Sequence, residues 1–216
     1  MWVYIWKEEQ EWQPGENTLL YLPMTEDFID HWPNSLSLTN RWVSLVQNQA
    51  NVGVWYFNGS SDILWAYSSL FSFGNFHLGA WVKYSQINVS QFIFAWVSNS
   101  DLFIWYLTYW GDNRIWIGRN GIAWDSVVQH TLSTDTWYYI SYDRNWSTLT
   151  ISLNWTSLWA VSSTISYGVS WQYNIGNDGT GFYTNWYMSD IIFEKVAWGD
   201  TEITNYYNLT KSNYWL

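Results

Sequence analysis

The distribution of strand-forming residues constrains this chain most. Short runs of β-branched and aromatic residues recur between Asn, Gly, Ser and Asp, and helical periodicity is nearly absent. The pattern predicts strands at Thr18–Leu22, Val52–Asn58, Phe76–Tyr84, Gln91–Ser98, Leu102–Tyr109, Arg114–Gly118, Val127–Leu132, Trp137–Asp143, Thr148–Leu153, Leu158–Ser163, Tyr173–Ile175 and Tyr187–Lys195. One helix is predicted over Thr201–Tyr207, with Asp200 as its N-cap. This pattern is typical of an all-β protein, an antiparallel two-sheet β-sandwich or jelly roll with one short C-terminal helix.

Composition excludes several classes of function. Among 216 residues, 18 Asp and Glu outnumber 8 Lys and Arg, for a net charge of −10. A chain this acidic has no cationic surface to displace phosphate counterions, so nucleic acid is not an expected partner. The absence of Cys excludes disulfides and thiolate metal sites. Every apolar run is interrupted before the ~20 residues that a bilayer requires, so membrane insertion is not expected.

The start of the chain differs from the rest. Residues 1–16 lack a basic segment followed by an apolar one, so no cleavable signal peptide is predicted. We interpret residues 1–16 as an N-terminal extension or linker and residues 17–216 as a single domain. Export without a signal peptide and origin from a longer polypeptide both remain open.

Tryptophan is unusually abundant and stands in unusual places. The chain has 21 Trp, and several follow Asn at predicted turns, as at Asn145-Trp146, Asn154-Trp155 and Asn185-Trp186. A two-residue hairpin normally uses Asn-Gly, because a type I′ turn needs positive φ at both central residues. Asn58-Gly59 and Asn120-Gly121 show the expected dipeptide. Trp is sterically unfavourable where Gly is not.

The chain resembles the laminin-G-like, concanavalin A-like jelly-roll family from about residue 17 to residue 208. The resemblance is carried by the order and spacing of VWYFNGSSDIL from residue 54, FHLGAWVK from 76, TWYYISYD from 136, LTISLN from 149, YNIG from 173, NWYMSDI from 185, EI at 202 and YYN from 206. The resemblance implies the same sandwich fold.

Against the family pattern, many Trp stand where the family carries Gly. Trp155 and Trp186 are examples, as are Trp146 and Trp55, whereas Trp81 and Trp137 match positions where the family itself has Trp. Trp81 and Trp137 are therefore expected in the core. Our hypothesis is that the gene uses UGA for glycine and has been translated here with UGA as tryptophan. For this reason the abundance of Trp is not taken as a sign of sugar-stacking platforms.

The residues do not predict an enzyme. Glucan-cleaving members of this superfamily carry Glu-x-Asp-x-x-Glu on one strand, which places the carboxylates on one face for attack and protonation. No such triplet occurs here. Asp190 and Glu194 share a face but do not complete the pattern. A hydrolase triad is not predicted either, and His77 is expected to be structural.

Calcium is the predicted cofactor, in a structural role. The segment Thr25–Asp30 resembles an early acidic segment of the family, and Asp190 matches an acidic residue near its closing strand. Carboxylate oxygens are ligands that Ca²⁺ prefers. The resemblance therefore implies Asp27, Asp30 and Asp190 as metal ligands, with ordinary turn and edge acids as the alternative.

A polar, glycine-rich loop follows the predicted strand Tyr173–Ile175. Loops at one end of a sandwich commonly carry recognition, so Asn177, Asp178 and Thr180 are predicted to form a ligand-binding loop, with a plain connecting turn as the alternative. It is not a phosphate loop, because no Lys-Ser/Thr follows it.

Taken with the fold, these residues predict non-catalytic adhesion. The expected function is a lectin-like module that binds a glycan or a surface protein, on an extracellular, cell-surface or virion protein such as a phage tail or fibre. The alternatives are a glycoside hydrolase of the same fold and a purely structural domain of a virion or envelope. The step from this fold to adhesion is an analogy.

Overall fold

The computed structural model describes most of the chain from residue 12 onward. The described residues are 12–23, 36, 38–48, 52–61, 63–67, 74–86, 91–96, 102–107, 114–119, 123–162, 172–177 and 185–214. No helix among them is long and apolar enough to cross a membrane.

The described residues form fifteen strands, one α-helix and one 3₁₀ turn. The strands are β1 (Thr18–Leu22), β2 (Thr39–Arg41), β3 (Ser44–Gln47), β4 (Gly53–Asn58), β5 (Ile63–Tyr67), β6 (Phe76–Tyr84), β7 (Gln91–Trp96), β8 (Leu102–Leu107), β9 (Arg114–Arg119), β10 (Ala123–Gln129), β11 (Trp137–Asn145), β12 (Thr148–Leu153), β13 (Thr156–Ser162), β14 (Gln172–Ile175) and β15 (Asn185–Glu194). The helix α1 spans Asp200–Thr210, and the 3₁₀ turn spans Lys211–Tyr214.

The strands form two antiparallel sheets. The eight-stranded sheet has the order β13-β12-β11-β6-β15-β4-β3, with β1 paired to β15. The seven-stranded sheet has the order β10-β9-β8-β7-β14-β5-β2. Neighbours that are distant in sequence, such as β6 between β11 and β15, give the crossovers of a jelly roll. The predicted all-β sandwich with one C-terminal helix is confirmed.

Strand β6 shows how alternation builds the fold. Phe76, Leu78 and Ala80 point toward the core between the sheets, where they pack with residues of both. Trp81, on the opposite face, belongs to a second cluster that α1 covers. Because successive side chains of a strand alternate between faces, the eight-stranded sheet has an inner face on the sandwich core and an outer face under the helix.

Helix α1 lies against the outer face through Ile203, Tyr206 and Tyr207. Its N-cap is Gly199, whose amide donates to Glu202 Oε2 at 3.0 Å. The prediction of Asp200 as N-cap is therefore wrong by one residue, because the Glu202 carboxylate caps the preceding amide from the first turn. Trp81 Nε1 donates to Thr210 Oγ1 at 3.0 Å and ties the end of the helix to the sheet.

The strand predictions are uneven. The bounds of β1, β6 and β12 agree with the sequence prediction, whereas β2, β3 and β5 were not predicted. Strands β2 and β3 are short and largely exposed, so they lack the alternation that marks a half-buried strand.

Candidate functional site

A row of four side chains crosses the outer face of the eight-stranded sheet. Strand register places Tyr56 of β4 beside Tyr187 of β15, Tyr187 beside Lys83 of β6, and Lys83 beside Trp137 of β11. We call these four residues the aromatic row. With strands about 4.8 Å apart, the row is about 14 Å long, enough for a few sugar rings. Tyr56, Tyr187 and Lys83 are half-buried, so each offers part of its surface to solvent.

Lys83 lies between two rings of the row. Its Nζ is 4.4 Å from the ring centroid of Tyr187 and 5.6 Å from that of Trp137. The negative faces of aromatic rings attract a cation at such distances. Tyr56 and Tyr187 pack with ring centroids 5.1 Å apart at a tilt of 38°. The row thus combines two half-buried tyrosine rings with one cation, next to the buried ring of Trp137.

The floor next to the row is made of packed aromatic rings. Tyr214 packs against Trp137 with centroids 4.8 Å apart, and it stacks on Trp81 at 4.2 Å. Trp81 and Trp137 are buried, as the sequence predicted for both. Rings packed on several sides lose few further conformations when a ligand binds, which favours affinity.

The hairpin between β12 and β13 brings an exposed indole to the same end of the sheet. Asn154 accepts from the amide of Tyr139 at 3.1 Å and donates its own amide to the Tyr139 carbonyl at 2.7 Å, which anchors the turn to β11. Trp155, 53% exposed, packs against Tyr207 of α1. We call this end of the outer face, with the aromatic row and Trp155, the row end.

The opposite end of the outer face holds a buried polar network. His77 Nδ1 lies 2.8 Å from Asp143 Oδ1, and His77 Nε2 lies 3.1 Å from Tyr139 Oη. Ser141 donates to Asp143 Oδ2 at 3.2 Å, and the amide of Trp198 donates to Asp143 Oδ1 at 2.8 Å. We call this end the network end. Both carboxylate oxygens of Asp143 thus have partners within the chain.

Glycine at position 79 makes room for this network. A Cβ at Gly79 would collide with the phenol of Tyr139 and with His77 Nε2. Burial above all, and then the charges of Asp143, Asp190 and Glu194, raise the pKa of Tyr139 well above its ordinary value. Tyr139 is therefore a neutral hydrogen-bonding group.

Two tryptophans cover the network. Trp198 stacks on His77 with centroids 3.8 Å apart, and its Nε1 donates to Glu194 Oε2 at 2.6 Å. Trp12, from the segment before β1, packs against Trp198 and Tyr206. Glu194 also accepts from Thr18 Oγ1 at 2.8 Å. The network end is thus sealed by packed rings.

The fold brings His77, Asp143 and Ser141 close together, which the sequence did not predict. Ser141 contacts Asp143 and not the imidazole, and the group on His77 Nε2 is the buried phenol of Tyr139. A nucleophile of a hydrolase triad must reach substrate. The observed arrangement instead locks a histidine in place beneath Trp198.

Asp190 lies at a bulge in β15. The pairing of β15 with β6 shifts register between Ser189 and Ile192, and Asp190 has a φ of 48°. Its carboxylate accepts from Tyr214 Oη at 2.8 Å. Burial raises the pKa of Asp190 from 3.8 to about 7, although the hydrogen bond from Tyr214 acts in the opposite direction.

Of the residues predicted to bind ligands, Asn177 and Asp190 lie among the described residues. Asp27, Asp30, Asp178 and Thr180 lie outside the described residues. Asn177 lies two residues after the end of β14 and is buried, with 3% of its surface exposed. No group of three or more acidic or histidine side chains among the described residues could hold a metal ion. Calcium at Asp27, Asp30 and Asp190 stays a prediction, because two of these residues are not described.

Trp146, Trp155 and Trp186, which were predicted at turns, have three different environments, and Trp42 shares that of Trp146. Trp146 is 80% exposed with a φ of 55° at the first central residue of the β11–β12 hairpin, and Trp42 is 61% exposed with a φ of 65°. Trp155 is exposed in its turn, but the positive φ belongs to Asn154. The turn predicted at Asn185–Tyr187 is wrong. Trp186 is a fully buried residue of β15, packed on Tyr84.

No protein-family model and no curated protein matches the chain. Domain 4 of AbnA, a GH43 extracellular arabinanase from Geobacillus stearothermophilus solved in complex with arabinotriose, is similar with a TM-score of 0.73 and 13% identity, over 88% of this chain and 98% of that domain. The chain is a concanavalin A-like β-sandwich.

Botulinum neurotoxin binding domains have the same fold over part of their length. A type C structure, described with cell entry that depends on two ganglioside molecules, matches with a TM-score of 0.71 and 11% identity. A type DC domain in complex with rat synaptotagmin II matches with a TM-score of 0.72 and 11% identity. Both matches cover 89% of this chain but 51% of the neurotoxin chain, so the chain spans about half of each toxin domain.

Proposed function

We propose that the protein is a non-catalytic glycan-binding module and that its ligand lies on the aromatic row. The observation that carries this proposal is the half-exposed pair Tyr56 and Tyr187 beside Lys83, set on a floor of packed rings. Aromatic rings with polar tips provide large contact area at small entropic cost.

The similar structures support the same proposal. The arabinanase domain matches over nearly its whole length and was solved with an oligosaccharide. The neurotoxin matches cover about half of those domains, and the matched half is not thereby assigned their ganglioside or synaptotagmin ligands. We therefore place an oligosaccharide first and a surface protein second. The arabinanase is extracellular, and we propose an extracellular, cell-surface or virion location here too.

The proposed ligand site contains neither of the two tryptophans with positive φ, Trp42 and Trp146. Tyr56, Tyr187 and Lys83 are unaffected by how UGA is read, and Trp137 stands where the resembling family has Trp. We propose that Trp42 and Trp146 are encoded by UGA in a genome that reads it as glycine, and their positive φ supports this. TGG codons at both positions would refute it.

The test uses a glycan array on the full chain, with arabinotriose included, followed by calorimetry on the glycans that bind. Tyr187→Leu and Tyr56→Leu are expected to weaken binding at least tenfold, about 1.4 kcal/mol, because each removes part of the stacking surface. Trp146→Ala is the matched control, since it removes an exposed ring at the opposite end.

Three outcomes contradict the proposal. One is a glycan affinity that Tyr187→Leu and Tyr56→Leu leave unchanged while both variants stay folded. Another is the absence of any bound glycan, which would favour the structural domain or, if a surface protein is captured, a protein receptor. The third is the release of reducing ends from a glycan, which would favour the glycoside hydrolase.

A further inference from the structure

We propose that the aromatic row selects glycans that carry a carboxylate, such as a terminal uronic acid, and that Lys83 is the residue that recognises it. The inference rests on the proposed function, because it names the class of sugar for the same site. It follows from the state of the Lys83 ammonium.

Lys83 is the cation of the row, and no carboxylate of the described residues pairs with it. Other described charges of the outer face are occupied within the chain. Asp143 contacts His77, Glu194 accepts from Thr18 and Trp198, and Lys211 Nζ donates to Asn208 Oδ1 at 2.8 Å. The Lys83 ammonium is therefore available to an acceptor from outside.

The two rings hold this ammonium in position. Tyr187 and Trp137 flank it, so the long side chain has already lost much of its rotamer freedom before a ligand arrives. Aromatic rings attract the cation but accept no strong hydrogen bond. A carboxylate would therefore add a charge-assisted hydrogen bond that a neutral hydroxyl provides only weakly.

The charge of the whole protein narrows the ligand further. A net charge of −10 disfavours a polyanion, because the many negative charges of such a ligand would lie against an acidic protein. A single carboxylate would instead be attracted by Lys83 at close range. At physiological salt, charges beyond about 8 Å are screened, so the contact at Lys83 outweighs distant acids. The row thus suits a sugar with a single carboxylate rather than a densely sulfated or uronic polymer.

The test compares two ligands that differ only in charge: an oligosaccharide ending in one uronic acid and its methyl ester. By calorimetry on the full chain, the acid is expected to bind at least tenfold more tightly than the ester. Lys83→Met keeps an apolar stem against the rings and should make the two affinities equal. Lys83→Arg should retain the preference, and high salt should reduce it.

Lys211→Met is the matched control, since Lys211 also lies near an aromatic ring of the outer face, at 5.6 Å from Tyr207. It should leave the preference unchanged. Equal binding of acid and ester by the parent protein overturns this inference while leaving the glycan-binding proposal intact. A preference that persists in folded Lys83→Met also overturns it. Failure of every glycan to bind removes both.

Discussion

The two ends of the outer face use polar groups in opposite ways. At the network end, His77, Asp143 and Glu194 are buried, and the contacts shown above satisfy them with groups of the same chain. At the row end, Lys83 is half-buried and touches aromatic rings, without a carboxylate among the described residues.

The difference distinguishes polar side chains that stabilise the outer face from those proposed to bind a ligand. A buried charge is tolerated only when its hydrogen bonds are made, so the network end stabilises the position of Trp198 and the segment before β1. A half-exposed cation needs no hydrogen-bond partner from the protein, because solvent water can hydrate it. Stability and ligand binding should therefore respond to substitutions at different ends.

Asp143→Ala is expected to have the largest effect on stability. It removes the acceptor for His77, Ser141 and the amide of Trp198, so we expect a loss of roughly 3–5 kcal/mol in the free energy of unfolding. Urea denaturation measures it. At a temperature where the variant is folded, glycan affinity should match that of the parent protein. A stable variant, or one with lower affinity, would contradict the separation of the two ends.

Asp190 lies between the two ends, and pH isolates its contribution. Its pKa is raised to about 7 in the folded protein from 3.8, so the folded state holds the proton more tightly and stability falls as pH rises. Between pH 5 and pH 8 the free energy of unfolding should fall by roughly 2–3 kcal/mol from this group.

Asp190→Asn is the control for this pH dependence, since Asn tolerates positive φ and can still accept from Tyr214. The free energy of unfolding of parent and variant is measured by denaturation at several pH values between 5 and 8, with EDTA present. The contribution of Asp190 is the difference between the two pH profiles. Parallel curves for the two proteins would show that the Asp190 carboxyl is not perturbed. Tyr139, Tyr206 and Tyr214, which face it, have raised pKa values and do not titrate there.

The smallest expected effect compares the hairpin turns at the two ends. Trp146→Gly should stabilise the protein by roughly 1 kcal/mol, because glycine adopts positive φ without the steric cost of a side chain. Trp155→Gly should give no gain, since the positive φ of its turn is at Asn154. Thermal denaturation of both variants measures the contrast. A destabilising Trp146→Gly would argue for a genuine tryptophan there.

Much of the fold was predictable because strand-forming residues and turn residues are local signals. In β6, apolar residues on both faces and turn residues at each side defined the strand to the residue. Strand β3 was missed because its residues are mostly exposed, so it lacks the apolar alternation of a half-buried strand. The turn predicted at Trp186 failed for a different reason, since pairing of β15 with the distant strands β4 and β6 extends the strand through it.

The candidate site was less predictable. Tyr56, Lys83, Trp137 and Tyr187 are far apart in the chain and carry no motif, so only the register of four strands reveals that they form one row. Each strand did carry a signal, an aromatic or basic residue at a position that alternation places on the face away from the core. That signal does not indicate which strands are neighbours in the sheet. His77 and Asp143 met for the same reason.

The sequence by itself determined that the chain forms a β-sandwich with a short C-terminal helix, because strand periodicity and turn residues act over a few positions. Tertiary structure alone decided which polar residues are satisfied within the protein and which stay partly exposed at its surface. That decision depends on pairing between strands distant in sequence, on the bulge at Asp190 and on the face that α1 covers. Each of these depends on long-range packing, which no local pattern encodes.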